Sequence, residues 1–386
     1  MTFSLRDKYC IVGIGETSYT KKSGRTVLDL ASEACQKAIE DAGLQRGEVD
    51  GIVSFNFNDS VPAISVATAL GIPQAMYAVD YASGGNAANL IVLAAVAALE
   101  AGLATHVVCY RAMNGRSGFR LGGGREMKAA GITQHTAPYG WITYPQAMAM
   151  WCRRHMIRYG TTSEQLAAVA ISTRANAVAN ERAMQRQPIT LDDYMSSRRI
   201  VDPFRMLDIC LESDGACAVV VTHRDRARDL RQKPVHIMGG AYGGGPNQGD
   251  DLFDALRWPE HARNYSHYIA ADLWSSAGVG PKDVDVAEIY DCFTYSVLMQ
   301  LEGFGFCAEG EGGPFVQAGH IAKGGRLPVN THGGLLSEAY IHGFNHVLEA
   351  VRQLRGTAGA NQVADARIAM TTAGAMTCGS ALLLRN

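Results

Sequence analysis

The stretch from Ala78 to Leu99, AVDYASGGNAANLIVLAAVAAL, constrains this chain more than any other. It opens as an extended apolar approach, passes through Tyr81-Ala82-Ser83-Gly84-Gly85-Asn86, and continues to Leu99 with almost no polar side chain. Adjacent glycines permit a tight turn and let backbone come close to other groups. A helix apolar on every side has to be buried, which only a sizeable core can do. Strand, glycine turn and buried helix in succession set a helix N-terminus deep in the fold. Free N–H groups and the macrodipole favour negative charge there.

The chain is long enough to build that core. Its 386 residues are 47% hydrophobic and 19% charged, the balance of a globular protein of roughly two to three domains rather than a disordered one. A net charge of −2 and a pI near 6.6 give no electrostatic basis for binding nucleic acid or an anionic membrane. None of the nine cysteines sits in a C-x-x-C pair, so neither a metal site nor a redox motif is expected. Their odd number fits reduced thiols and a cytoplasmic location. MTFSLRDKYCIVGIG has no long apolar segment after its charges, so no signal peptide is expected. The longest apolar run, Ala87 to Leu99, is too short to span a bilayer.

Strand and helix signals alternate along the first part. Tyr9 to Gly15 reads as a buried strand ending in glycines, without the G-x-G-x-x-G of dinucleotide sites. Thr26 to Ala42 has helical periodicity and stops at Gly43, a C-cap signal. Val49 to Phe55 and Thr105 to Arg111 read as strands and Val61 to Leu70 as a helix. The alternation predicts a mainly parallel sheet covered on both faces. From Met113 to about Arg205 the chain is richer in Arg, Gln, Met, Trp and Tyr, and reads as a mostly helical insertion with a helix from Ser163 to Asn180. Gly122-Gly123-Gly124 within it reads as a flexible loop rather than a phosphate cradle. Glu212 to Val221 returns to a buried strand, and Arg224 to Lys233 is a charged connector.

The second half repeats the first. Ala42-Gly43-Leu44, Glu48-Val49-Asp50 and a strand recur as Ala277-Gly278-Val279, Asp283-Val284-Asp285 and the strand Val286 to Tyr290. Asp214-Gly215-Ala216 before a strand is echoed by Cys378-Gly379-Ser380-Ala381. The boundaries this predicts are an N-terminal half from residues 1–112 and 207–233, an insertion over 113–206, and a C-terminal half over 234–386.

These pieces, taken in order, resemble the thiolase superfamily and its lipid-transfer-protein and sterol-carrier-protein-X branch. The resemblance rests on the glycine turn before the buried helix, DGACAVVV, Tyr290-Asp291-Cys292-Phe293, LEGFG at Leu301 to Gly305, and Asn330-Thr331-His332-Gly333-Gly334-Leu335-Leu336-Ser337. It covers essentially the whole chain. It implies an α/β fold of two βαβαβαββ halves in a five-layer α/β/α/β/α core with a loop domain, and a homodimer formed through the N-terminal half. CoA binding in the family falls mainly on the loop domain, so Arg and Lys between Arg116 and Arg205 are candidates.

The reactive positions depart from the thiolase pattern. Where a thiolase has its nucleophilic cysteine, lowered in pKa by the helix N-terminus, this chain has Tyr81. Tyr340 stands at the base histidine of the family's G-H-P block, and Tyr290 at the position that is Asn or His in thiolases. Cys378-Gly379-Ser380 is similar to the second cysteine loop, but the glycine spacing puts that cysteine's counterpart closer to Gly374. Cys378 therefore reads as a small residue at a strand start.

A lost cysteine and histidine with two gained tyrosines resembles the lipid-transfer-protein-type aldolases of bacterial steroid side-chain degradation. The resemblance implies retro-aldol cleavage of a β-hydroxyacyl-CoA. In the cholesterol route this is a steroid CoA ester with a tertiary ring hydroxyl, giving a 17-keto steroid and propionyl-CoA. It also implies an OB-fold, zinc-ribbon partner protein and no cofactor beyond the CoA of the substrate. The reaction needs a base for the hydroxyl proton, donors for the enolate oxygen and an acid for the α-carbon. Tyr290 and Tyr340 are the expected acid and base, through a lowered pKa or a relayed proton. Enolate donors would come from the Tyr81 turn, the Cys378-Gly379 loop or a histidine, His332 or His342. Ser83 and Asn86 could bond substrate or stabilise the turn. Asp291 either orients Tyr290 or caps a turn. His320 and His346 read as solvent or core residues. Two other readings stay open: a thiolase with a displaced nucleophile such as Cys292 or Cys378, and a non-catalytic acyl-CoA or lipid-binding subunit.

Overall fold

A computed structural model describes residues 5–118, 120, 131, 133–248 and 258–386. Strands β1 (Tyr9–Glu16), β2 (Gly51–Asn56), β3 (Tyr77–Ala82) and β4 (His106–Asn114) come from the first stretch of chain. Two short strands, β5 (Arg199–Val201) and β6 (Phe204–Arg205), make a separate hairpin. Then β7 (Asp214–His223) returns to the first half, and β8 (Val235–Gly244), β9 (Val286–Glu288), β10 (Ile368–Ala373) and β11 (Cys378–Arg385) build the second.

All but the hairpin join in one nine-stranded sheet, β3-β2-β4-β7-β1-β8-β11-β10-β9. The halves meet where Cys10 and Ile11 of β1 face His236 and Val235 of β8. The expectation of a mainly parallel sheet fails. Only β2 with β3 and β4, and β9 with β10, run parallel. β7, β8 and β11 lie antiparallel to each of their neighbours. β11 follows β10 by a direct turn and so pairs with it antiparallel, without the helical crossover that a parallel pair requires, and β7 re-enters beside β4 only after the whole insertion.

Burial alternates along the strands as a sheet covered on both faces requires. Cys10, Val12, Val108 and Tyr110 pack with the helix Val27–Ala42 on one face. Ile11, Val107 and Cys109 face the buried helix on the other. That helix spans Ala88–Glu100 and touches β2, β4 and β7 as well as β8, β10 and β11; the helix Phe344–Arg355 likewise touches strands of both halves. These two form the middle layer, with Val27–Ala42 and Ser266–Ala277 outside the two sets of strands. The middle helix is not covered all round, however: Ala97 is exposed and Leu90, Leu93 and Leu99 are half-buried.

The internal repeat is visible in three dimensions. Gly43 and Gly278 each end a helix in the left-handed conformation, at φ 79° and 65°. A short 3₁₀ turn follows each, Arg46–Glu48 and Pro281–Asp283, and leads into β2 and β9. Thr26 caps the first of these helices by accepting from the Asp29 N–H. Between residues 113 and 206 the described chain carries the helices Tyr144–Tyr159, Ser163–Val178 and Leu191–Ser196. Gly122-Gly123-Gly124 lies outside the described residues. Among the described residues no helix is long and apolar enough to cross a membrane.

Candidate active site

Tyr290 and Tyr340 meet with their hydroxyl oxygens 2.9 Å apart. Tyr290 follows β9, and its backbone is held on both sides. Its N–H donates to Thr372 Oγ1 of β10 at 2.9 Å. Its carbonyl accepts from Gln300 Nε2 and Ser296 Oγ, both at 2.8 Å, from the helix Thr294–Gly303. Gln300 Oε1 in turn accepts from Thr372 at 2.5 Å and from the Tyr265 hydroxyl at 2.9 Å. Tyr340 follows a single π-helical turn, Gly334–Glu338, and its N–H donates to Ser213 Oγ at 3.0 Å.

The glycine turn of the first half closes on this pair. A Cβ on Gly85 would lie 1.9 Å from the Tyr290 hydroxyl, and one on Gly343 would lie 2.7 Å from its ring. Only glycine fits at either place. The next residue, Asn86, accepts from Ser83 Oγ at 2.7 Å and donates to Cys378 Sγ at 2.6 Å. Ser380 Oγ donates to the Asn86 carbonyl at 2.6 Å, so the turn is stitched to β11. Gly379 lies against the Tyr265 ring. Ser83 therefore sits in the turn's own hydrogen bonding, and its N–H is taken by the Asn56 carbonyl at 3.1 Å. Tyr81 lies on β3, at the edge of the sheet, near enough to Tyr77 to help raise that residue's pKa.

Burial pushes both Tyr290 and Tyr340 well above the usual tyrosine value. The lowered pKa that one route to base catalysis would require is therefore not what the site provides, because the surroundings withhold the stabilisation a phenolate needs. Both hydroxyls are protonated at neutral pH. What remains is a relay.

Beside the pair stands His342, whose ring packs edge-on against Tyr340 at 5.0 Å. Arg111, fully buried in β4, donates from Nε to His342 Nδ1 at 3.1 Å and is paired with Asp59. Burial first, then Arg111, lowers the His342 pKa to about 3. The imidazole is neutral.

Behind Tyr290 is a cluster of buried charge. Asp291 accepts from the Leu335 and Leu336 N–H groups at 2.7 and 3.3 Å, and so caps the π turn. It also lies 3.4 Å from His346 Nε2. His346 Nδ1 is 3.2 Å from His332 Nε2, and His332 Nδ1 is 3.0 Å from Glu288. Burial disfavours charge on His332, but Glu338 and Glu288 outweigh it and raise the pKa to about 9. Glu288, His332 and His346 bring their donor atoms close enough for a metal ion. Glu288 Oε2, His332 Nδ1 and His346 Nε2 are each buried without a hydrogen-bond partner.

The two tyrosines, His342 and the Gly85 turn are thus brought together. His332 and Asp291 stand one layer back, and Tyr81 stands on the sheet edge. The sequence reading passes over Arg111, takes His346 as a solvent or core residue, which the structure buries completely, and names the glycine turn without its contact to Tyr290. A lone arginine inside the otherwise apolar strand HVVCYRAMN was the available signal for Arg111.

The family described as "Thiolase C-terminal domain-like" matches residues 264–385. A steroid side-chain-cleaving aldolase of Thermomonospora curvata is 43% identical over 97% of each chain. A 17-hydroxy-3-oxo-4-pregnene-20-carboxyl-CoA lyase of Mycobacterium tuberculosis is 42% identical over 98% of this chain and 100% of its own. The solved structure described as an Ltp2-ChsH2(DUF35) aldolase superposes with a TM-score of 0.92 at 42% identity, covering 99% of this chain and 98% of that one.

Proposed function

The chain belongs to the steroid side-chain-cleaving aldolases of the thiolase superfamily, carbon–carbon lyases acting on acyl-CoA, and from that premise we propose that Tyr290 and Tyr340 carry the retro-aldol reaction as a proton relay. The bond between the carbinol carbon and the thioester α-carbon breaks, and its electron pair passes into the thioester enolate. The carbinol hydroxyl loses its proton as its carbon becomes a ketone, and the α-carbon gains one. No net proton enters or leaves.

Two hydrogen-bonded neutral phenols suit that balance. One takes the hydroxyl proton as it gives its own to the other, which delivers a proton to the α-carbon. Both tyrosines are neutral before and after, so their raised pKa values do not obstruct the step. The observation that carries the proposal is the 2.9 Å contact between the two hydroxyls, seated on Gly85. General acid–base catalysis of this kind contributes about 10²–10⁴-fold.

The substrate we propose is a steroid CoA ester with a tertiary ring hydroxyl on the β-carbon, cleaved to a 17-keto steroid and propionyl-CoA. The 42% identity to the 17-hydroxy-3-oxo-4-pregnene-20-carboxyl-CoA lyase supports it. A partner protein is proposed by analogy with the two-component aldolase structure, and an OB fold and zinc ribbon for it on the family resemblance alone. A homodimer through the N-terminal half draws on β3, paired on one side only, and on exposed Phe57, Ile64 and Met76 beside it. A cytoplasmic location completes the reading.

The test uses Tyr290→Phe and Tyr340→Phe proteins, co-expressed with the partner and given 17-hydroxy-3-oxo-4-pregnene-20-carboxyl-CoA. Release of ketone and short acyl-CoA should collapse in both. Full activity in either would end the assignment.

A further inference from the structure

Arg111 is buried at 0% exposure, and its guanidinium has a partner in each direction. It pairs with Asp59, donates to the Phe55 and Ala112 carbonyls at 3.3 and 3.1 Å, and lies over the Phe55 ring at 5.2 Å. Its Nε–H points at His342 Nδ1, 3.1 Å away. A guanidinium has donors only and keeps its protons in proteins. His342 Nδ1 is therefore an acceptor, and the ring's one proton is on Nε2. The tautomer is fixed by the neighbour rather than chosen by solvent.

The other nitrogen has no such commitment. Among the described residues no group is bonded to His342 Nε2, and it is not one of the enclosed polar atoms left without a partner. The ring stands at 89° to that of Tyr340, with 5.0 Å between their centres. His342 also keeps a positive φ of 51°, a conformation uncommon outside glycine that persists where the surroundings over-determine it.

We propose that Asp59 and Arg111 hold His342 as a neutral Nε2–H donor aimed at the thioester carbonyl oxygen, where it stabilises the enolate formed on cleavage. This rests on the retro-aldol reading and adds the electrophile that reading lacks. His342 is then a catalytic residue, and Arg111 and Asp59 are positioning residues that act through it. A neutral donor suits an enolate better than an imidazolium would here. It needs no counter-charge in the ground state, and it does not compete with the phenols for the travelling proton. The burial that lowers the His342 pKa agrees with this.

The enzyme with its partner, labelled with ¹⁵N-histidine, tests the tautomer directly, with the His342 signal assigned by its loss in His342→Asn. A neutral ring protonated on Nε2 at pH 7 is expected, changing to mixed protonation in Arg111→Lys, which keeps a cation beside Asp59 but loses the Nε donor. A wild-type ring that is charged, or protonated on Nδ1, overturns the proposal whatever the variants do. In kinetics, His342→Phe should lower kcat about 10²–10³-fold, the usual loss for one oxyanion donor, with KM within about threefold of wild type. His342→Gln, whose amide N–H reaches the same place, should recover part of the loss. A His342→Phe enzyme that folds and keeps kcat within about twofold overturns the catalytic role. If wild type fails to cleave the steroid CoA ester, the retro-aldol reading falls and the tautomer result stands on its own.

Discussion

The phenol pair and the histidine–carboxylate cluster lie back to back and are built on opposite terms. Tyr290 and Tyr340 are uncharged and bond each other, with glycine rather than a side chain against the Tyr290 hydroxyl. The cluster behind them packs His332 among Glu288, Glu338 and His346, with Glu349 and Arg182 beyond. The reacting groups are kept neutral, and charge stands behind them, in this cluster and in the Arg111–Asp59 pair behind His342. The difference teaches that charge in this fold holds the π turn and its loop in place, while the proton moves through groups that never need to carry charge at rest.

That division can be broken first at the pair. Tyr290→Phe and Tyr340→Phe should each lower kcat by about 10²–10⁴-fold with little change in melting temperature, measured as ketone release beside calorimetry. His332→Leu should do the reverse. Removing one member of a buried ion pair costs about 3–5 kcal/mol, so denaturant midpoints should drop well before activity per folded molecule does. The pH dependence should follow. His332 in the folded chain titrates at about 9, above the ordinary 6.5. Its stabilisation is thus fully present below about pH 6.5 and is lost as pH rises through about 9. The stability gap between wild type and the variant should close across that window. A gap that widens with pH would show the charge to be misplaced.

Gly85→Ala tests the seam between the two halves. A methyl there lies 1.9 Å from the Tyr290 hydroxyl, so about 1–3 kcal/mol of overpacking and a displaced phenol are expected, read as lower stability and lower kcat together. The smallest effect belongs to the surface. Arg199→Ala removes a 2.9 Å ion pair with Asp202 in which both side chains are more than half exposed, and should change stability by no more than about 1 kcal/mol.

Much of this could be read before any coordinates. The Thr26 cap, the Gly43 stop and the repeat at Gly278 are local signals, each set within a few residues, and local signals survive in sequence. The two tyrosines were legible because the resemblance supplied positions for them, not because a tyrosine advertises its pKa. The direction of that pKa was not legible, since it depends on burial by segments from both ends of the chain. Arg111 was hidden by its own strand, whose apolar neighbours read as plain core. His346 sits in the helix Phe344–Arg355 and His342 just before it, yet the two rings face different elements. The strand directions failed for a similar reason: alternation of strands and helices says nothing about which strand returns beside which.

The central place of β1 has a consequence for synthesis. The strand is made well before its neighbours β7 and β8, which begin only at Asp214 and Val235. At roughly 5–20 residues per second, the ribosome leaves that strand with both edges bare for about 10–40 s. An unpaired apolar strand is a template for aggregation. The nascent strand therefore needs shelter until the roughly 200 residues between it and β7 have emerged, and slowed translation over the insertion should cost yield of active enzyme before it costs anything in the finished fold.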